Sequence, residues 1–263
     1  MEIKEVSVVG AGKVGTAFAC ALAKRGYTIG SVISSSVKGA EKLASRFGAV
    51  VSDRYDIPAT SGLVIIAVPD SRIVKVAGDI TAADDTLVLH TAGSFGLEVF
   101  PAGRNYRCGV LYPLQTFSEG RTVDLDQVPL LVEGDSPGTE KDILGLAKTL
   151  SEKTSVIDTG KRRSIHLAAV YACNFVNYML GVAEEISGRS EIEFSLFEPL
   201  VKETINKAFE LGPSNSQTGP AVRNDTITIK KQTDLLSYSP QLKELYEMVT
   251  GLIIEKEREK ADE

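Results

Sequence analysis

The chain has 263 residues, 43% of them apolar and 24% charged, enough for one large or two medium domains with a sizeable core. Its formal net charge is -6 and neither half is basic, which argues against nucleic acid or an anionic membrane surface as the main partner. No apolar run long enough to span a bilayer and no cationic-then-apolar leader are expected, and Cys20, Cys108 and Cys173, scattered and odd in number, read as reduced, buried thiols of a cytoplasmic protein without a metal site.

The first half alternates between two hydrophobic periods. A strand over 3–9 runs into Gly10-Ala11-Gly12-Lys13-Val14-Gly15, and Val14, Ala17, Phe18, Ala21 and Leu22 then form one helical stripe that stops at Gly26. Strand 28–34, helix 37–47 and a short strand 49–51 follow. The continuous apolar run 63–68 is expected of a strand buried on both faces. Next come a helix over 71–80 with Asp70 as its N-cap, strands at 86–90, 107–111 and 128–132, a helix marked by Leu144, Leu146, Ala147 and Leu150, and a last strand at 155–157. Near residue 158 the alternation stops. Helices are predicted over 162–186, 193–211 and 225–236 and from 241 into the charged tail, with a polar loop at 212–224. The expected fold is therefore α/β: a doubly wound, mostly parallel Rossmann sheet over residues 1–158, followed by an all-helical domain over 159–263.

The glycine run carries the first chemistry. In G-x-G-x-x-G between strand and helix, the first glycine makes the tight turn, the second lets a diphosphate approach bare backbone, and the third lets the helix lie close on the strand. Gly10, Ala11, Gly12, Lys13, Val14 and Gly15 are thus the expected diphosphate loop, completed by the N–H groups and positive dipole of the helix start. An acidic residue at the end of the second strand would bind an adenosine 2′-hydroxyl. Ser34, Ser35, Ser36 and Lys38 stand there instead, which favours NADP over NAD; a plain serine turn capping the next helix is the competing reading. Ala67, Val68 and Pro69 end the strand on the carboxyl edge, where ligands bind in open sheets.

His90 closes a strand on that same edge and leads into Thr91-Ala92-Gly93-Ser94, either a small anion-binding turn or a turn held by a hydrogen-bonded imidazole. His166, Val170 and Asn174 are spaced to share one face of the long helix, with Asn177 nearby; polar groups buried in an apolar helix need partners, protein or ligand. An imidazole ordinarily titrates near neutrality, so His166 is the candidate general acid, with Asn174 orienting the substrate. Thr91, Gly93, Ser94, Tyr112, Gln115, Thr218 and Arg223, together with His90, are candidates for holding a small, anionic substrate; a structural ion pair with Asp225 is the other reading of Arg223.

These pieces together resemble the Rossmann-like NADP oxidoreductases that carry a C-terminal helical domain of unknown function. The matching stretches are the glycine run, His90-Thr91-Ala92-Gly93-Ser94, Tyr112-Pro113-Leu114-Gln115-Thr116-Phe117, the helix from His166 to Asn174, and Thr218-Gly219-Pro220-Ala221-Val222-Arg223-Asn224-Asp225. More distantly the chain is similar to pyrroline-5-carboxylate reductases, ketopantoate reductases and the 6-phosphogluconate and 3-hydroxyisobutyrate dehydrogenases. The resemblance implies NADP binding in the first domain, a site in the cleft between domains, and a homodimer through the helical half. One departure stands out: the hydroxyacid dehydrogenases carry Lys-x-x-x-Asn on the long helix, and here Asn174 is present but Val170 occupies the Lys place.

The expected function is an oxidoreductase that moves a hydride between NADPH and a small carbonyl or imine, with His166 supplying the proton. The missing Lys motivates an alternative, a nucleotide-responsive binding protein without turnover. A third reading is hydride exchange between NADP and a deazaflavin.

Overall fold

The computed structural model describes residues 4–118, 121 and 123–262. The chain forms two compact units, Met1–Met179 and Leu180–Glu263. Sequence pattern alone puts the change at residue 158. The first unit runs further because the opening turns of the next helix are fastened to the sheet, as described below.

The first unit is built on β1 (Glu5–Val9), β2 (Thr28–Ile33), β3 (Val50–Ser52), β4 (Ser61–Ile66), β5 (Leu87–His90), β6 (Arg107–Pro113), β7 (Leu130–Gly134) and β8 (Thr154–Val156). Their order across the sheet is β3-β2-β1-β4-β5-β6-β7-β8. Every neighbouring pair is parallel except β6 and β7. The first six strands have the doubly wound order whose switch point lies between β1 and β4. The linking helices are α1 (Lys13–Lys24), α2 (Val37–Ala44), α3 (Asp70–Asp79) and α4 (Pro137–Leu150).

The strands alternate between two cores, as the period of two requires. Leu63, Ile65, Leu87 and Leu89 join Phe18 and Leu22 of α1 and Ile143 of α4 on one face. Val64, Ile66 and Val88 join Ile73 and Val76 of α3 on the other. On that second face β1 buries a polar residue. Ser7 Oγ lies 2.7 Å from Ser31 Oγ and 2.8 Å from Ser61 Oγ, a chain of hydroxyls across β2, β1 and β4. Side-chain caps fix several helix starts: Ser36 accepts from the Gly39 N–H, Ser136 from Thr139 and Asp158 from Lys161. Asp70, expected as an N-cap, is instead the first residue of α3, and Pro69 holds the cap position without a side-chain bond. Cys108 alone is buried among the three thiols; Cys20 is half-buried and Cys173 exposed, against the expectation of three buried groups. Burial pushes the Cys108 thiol up to about 12.

The long helix begins as α5 (Thr159–Ala169), passes through one wide turn, Val170–Phe175, with i→i+5 bonding, and continues as α6 (Val176–Gly188). By length and composition this 30-residue helix could cross a bilayer, with a window of mean hydropathy 1.3, contrary to the expectation from sequence. No part of that window is buried. In the second unit α7 (Glu198–Leu211), α8 (Pro213–Ser216), α9 (Thr226–Leu235) and α10 (Pro240–Asp262) follow. The loop expected over 212–224 therefore contains one helical turn. The Arg189 guanidinium lies 3.6 Å from the Tyr238 ring centroid, and Tyr246 Oη donates to Gln232 Oε1 at 2.6 Å.

The foot of α5 is fastened to the sheet by Arg162, whose side chain is fully buried. Its Nη1 meets Glu133 Oε2 at 2.5 Å and its Nη2 donates to the Phe95 carbonyl at 2.7 Å. Thr159 Oγ1 donates to the same carboxylate at 2.7 Å. Removing one partner of such a pair leaves a buried charge without compensation. Glu133→Gln is expected to lower the unfolding free energy by about 3 kcal/mol in urea titration. A loss below ~1 kcal/mol, the range of exposed pairs, would show that the pair is not what fastens α5.

Candidate active site

The turn after β1 needs each of its glycines for a different reason. Gly10 has φ +108, and a β-carbon there would fall on the Ala67 carbonyl. A β-carbon at Gly15 would fall on the Gly10 carbonyl. Gly12 is the opposite case: its backbone is ordinary, and nothing lies within 4 Å of the place a β-carbon would take. That empty space fronts the start of α1, where the first N–H groups have no helical acceptor. The turn lines an open cavity together with Ser34, Ser35, Tyr55, Ala67, Val68, Pro69 and Arg72.

The serine turn after β2 is largely engaged with itself. Ser34 Oγ accepts from the Ser36 N–H at 3.1 Å, and Ser36 Oγ accepts from the Gly39 N–H at 3.3 Å. The capping reading thus describes Ser36. Ser35 Oγ is bonded differently: it accepts from Arg72 Nη1 at 2.7 Å, reaching from the first turn of α3. Lys13 and Lys38 are exposed, and Lys38 does not line the cavity. Sequence reasoning missed Arg72. The available signal was a cation two residues past Pro69-Asp70, on the first turn of a helix leaving the carboxyl edge.

Strand register places Ile66, His90 and Val110 in one row. His90 is fully buried; its Nε2 bonds the Gly96 carbonyl at 3.2 Å and its Nδ1 accepts from the Ala92 N–H at 3.3 Å. Both ring nitrogens are engaged with main chain, so the imidazole holds the turn. Thr91 is likewise engaged, its N–H and Oγ1 both donating to the Ile66 carbonyl. Ser94 offers its carbonyl to Arg163 Nε at 2.8 Å, and Arg163 also pairs with Glu98. Burial alone would raise the Glu98 carboxyl, but the N–H groups of Glu98 and Gly96 and the Arg163 charge hold it below the usual range.

Gly93 is where two rings close on backbone. A β-carbon there would lie 2.7 Å from His166 Nδ1 and 2.9 Å from Tyr112 Cε2. The rings stand edge to face, and Tyr112 Oη is 2.9 Å from His166 Nδ1. Burial first, and the Asp70 charge second, raise the Tyr112 phenol. The contact engages His166 Nδ1, while Nε2 has no partner among the described residues.

Asn174 and Asn177 are exposed, not buried as the helix pattern suggested, and Asn174 lies in the wide turn. Gln115 is exposed and accepts from the Thr116 N–H at 2.7 Å. Thr218 and Arg223 belong to the second unit and are exposed. Arg223 forms no ion pair among the described residues; the Asp225 carboxyl is held low by the N–H and hydroxyl of Thr228 and, further down, by the Arg223 charge. No three His, Cys, Asp or Glu side chains gather as a metal site among the described residues.

Known proteins match this architecture along nearly its whole length. Residues 2–111 match the model of a Rossmann-like domain and residues 128–253 that of a domain of unknown function, DUF2520. The crystal structure of a "putative NADP oxidoreductase" from Bacteroides fragilis is 32% identical, with 97% of this chain and 99% of that one covered and a TM-score of 0.87. The chain belongs to this Rossmann-like, DUF2520-bearing family. A Thermotoga maritima protein is 24% identical with a TM-score of 0.69, covering 97% of this chain and 99% of that one. A reductive aminase from Aspergillus terreus, in complex with NADPH and ethyl-5-oxohexanoate, is 17% identical over 98% of this chain and 94% of that one, with a TM-score of 0.73. At these identities the last two share the fold. No curated protein matches.

The buried imidazole makes stability depend on pH. Burial, outweighing the bond to the Gly96 carbonyl, lowers His90 from 6.5 to about 4. Between those values the unfolded chain binds a proton that the folded chain refuses, so stability is full above the unfolded value and falls as pH drops through the window. The loss is expected to reach about 3 kcal/mol near the lower end. Urea midpoints measured between neutrality and the lower end will show it, and His90→Gln will lack that share of the slope. An unchanged slope in the variant would assign the titration to another group.

Proposed function

We propose that the protein is an NADP-dependent oxidoreductase that reduces a small carbonyl or imine, with the site on the carboxyl edge of the Rossmann unit. The observation that carries this reading is the glycine turn: two glycines are enforced by protein atoms, and the third faces open space in front of unpaired helix N–H groups. Family membership beside the Bacteroides protein, named for NADP, supports the same cofactor. Gly10 to Gly15 would hold the diphosphate, Ala67 to Pro69 would flank the path toward the nicotinamide, and the turn after β2 would meet the ribose. When bound, NADPH supplies the hydride that reduces the substrate carbon.

The protein's own part is positioning and one proton. As imidazolium, His166 would give its Nε2 proton to the substrate oxygen or nitrogen as negative charge develops there and would be left as the neutral ring. Tyr112 Oη, 2.9 Å from Nδ1, would hold the ring in place. The exposed Asn174 amide is the proposed group that orients the substrate. Two measurements test this reading. Gly12→Ala should leave Tm unchanged while weakening NADPH binding at least roughly tenfold by calorimetry. His166→Ala should cut NADPH oxidation by about 10²–10⁴ across keto acids, aldehydes and imines, with NADPH affinity unchanged. Undiminished turnover would remove His166 from the chemistry. Wild-type oxidation at background across the panel, with tight nucleotide binding, would favour a nucleotide-responsive binding protein.

We further propose that the chain works as a homodimer through the long helix. Leu167, Tyr171, Phe175, Tyr178 and Met179 are all exposed, and the Tyr171 and Phe175 rings pack together at 4.8 Å. The exposed amides of Asn174 and Asn177 among them would be costly in lipid and find partners at a protein interface. A second copy of this face is therefore the favoured cover. Light scattering should give twice the chain mass for the wild type and a single chain mass for Tyr171→Glu; a wild-type monomer would overturn the proposal.

A further inference from the structure

We propose that Arg72, from the first turn of α3, is the side chain that selects NADP over NAD by gripping the adenosine 2′-phosphate together with Ser35. The inference rests on the NADP reading above and assigns its selectivity to a residue outside the turn after β2. Among the residues lining the cavity, Arg72 is the only charged one, and no carboxylate lines it. Its guanidinium forms no ion pair among the described residues. One of its five N–H groups is given to Ser35 Oγ at 2.7 Å, which aims the fork at the hydroxyl where the second strand ends.

The neighbouring groups are less suited to the task. Ser34 and Ser36 hydroxyls accept main-chain N–H groups of their own turn, and Lys38 stands outside the cavity. A phosphate in this place would find the planar guanidinium, able to bond two of its oxygens, and the Ser35 hydroxyl that already touches it. A 2′-hydroxyl, uncharged, would gain little from the same cation. Selectivity thus arises from a contact between the turn after β2 and the helix after β4. These two segments meet across the switch point of the sheet.

Binding measurements separate this inference from the reading beneath it. Dissociation constants for NADPH and NADH are measured by calorimetry on the intact protein, the Arg72→Gln variant and the Lys38→Gln variant. The wild type is expected to prefer NADPH. Arg72→Gln should weaken NADPH by roughly ten- to a hundredfold and leave NADH unchanged, the range for a charge-assisted contact. Arg72→Lys should restore part of the preference, and Lys38→Gln should keep it. Preference retained in Arg72→Gln, an equal loss for both nucleotides, or a preference lost instead in Lys38→Gln would overturn the assignment while leaving the cofactor reading intact. A wild type that binds neither nucleotide would sink both.

Discussion

The arrangement depends on one buried cation. Arg162 stands without solvent at the point where α5 leaves the sheet, satisfied by Glu133 from β7 and by the Phe95 carbonyl from the loop after β5. Three chain segments that are distant in sequence meet on its guanidinium. Strand register sets the level at which they meet, because Glu133 pairs with Val110 and Val110 with His90. Among the described residues its Nε has no partner. One helical turn further on, His166 arrives over Gly93 and against Tyr112. Arg162 is a positioning residue in this sense: it decides where the imidazole can be.

The same loop explains why a histidine and a glycine flank the turn. The His90 ring ties the start of the loop to its end, and Gly93 lets two aromatic rings rest directly on main chain. From sequence these residues invite a ligand-binding interpretation, because imidazoles, hydroxyls and glycines at a strand end are the usual material of sites. In the fold the His90 ring is bonded to main chain and Gly93 lies beneath the Tyr112 and His166 rings. His166 is half-buried, with one ring nitrogen held by Tyr112 and the other without a partner among the described residues.

What was legible in the sequence was local or periodic. The glycine spacing, the doubly apolar β4 and the strand–helix alternation all follow from neighbours a few residues apart, and the structure and family agree with them. What escaped depends on contacts between remote segments. Arg72 gains its meaning from Ser35, which is brought beside it only by the sheet. The inversion of β7 leaves no mark on hydrophobic period, since parallel and antiparallel strands alternate alike. The wide turn at Val170–Phe175 changes which residues of the long helix share a face, and the polar residues there are exposed where periodicity suggested burial. An apolar helix reads the same from sequence whether its cover comes from its own chain or from outside it.

The hydroxyls of Ser7, Ser31 and Ser61 carry a consequence for alignment. A strand that slipped by one residue would turn its serine to the opposite layer and strand the others among hydrocarbon, at about 1–3 kcal/mol for each orphaned group. The trio therefore acts as a pawl on β2, β1 and β4. It sets how far each protrudes at its exit, and with that the height at which bare main chain is offered to whatever docks above it.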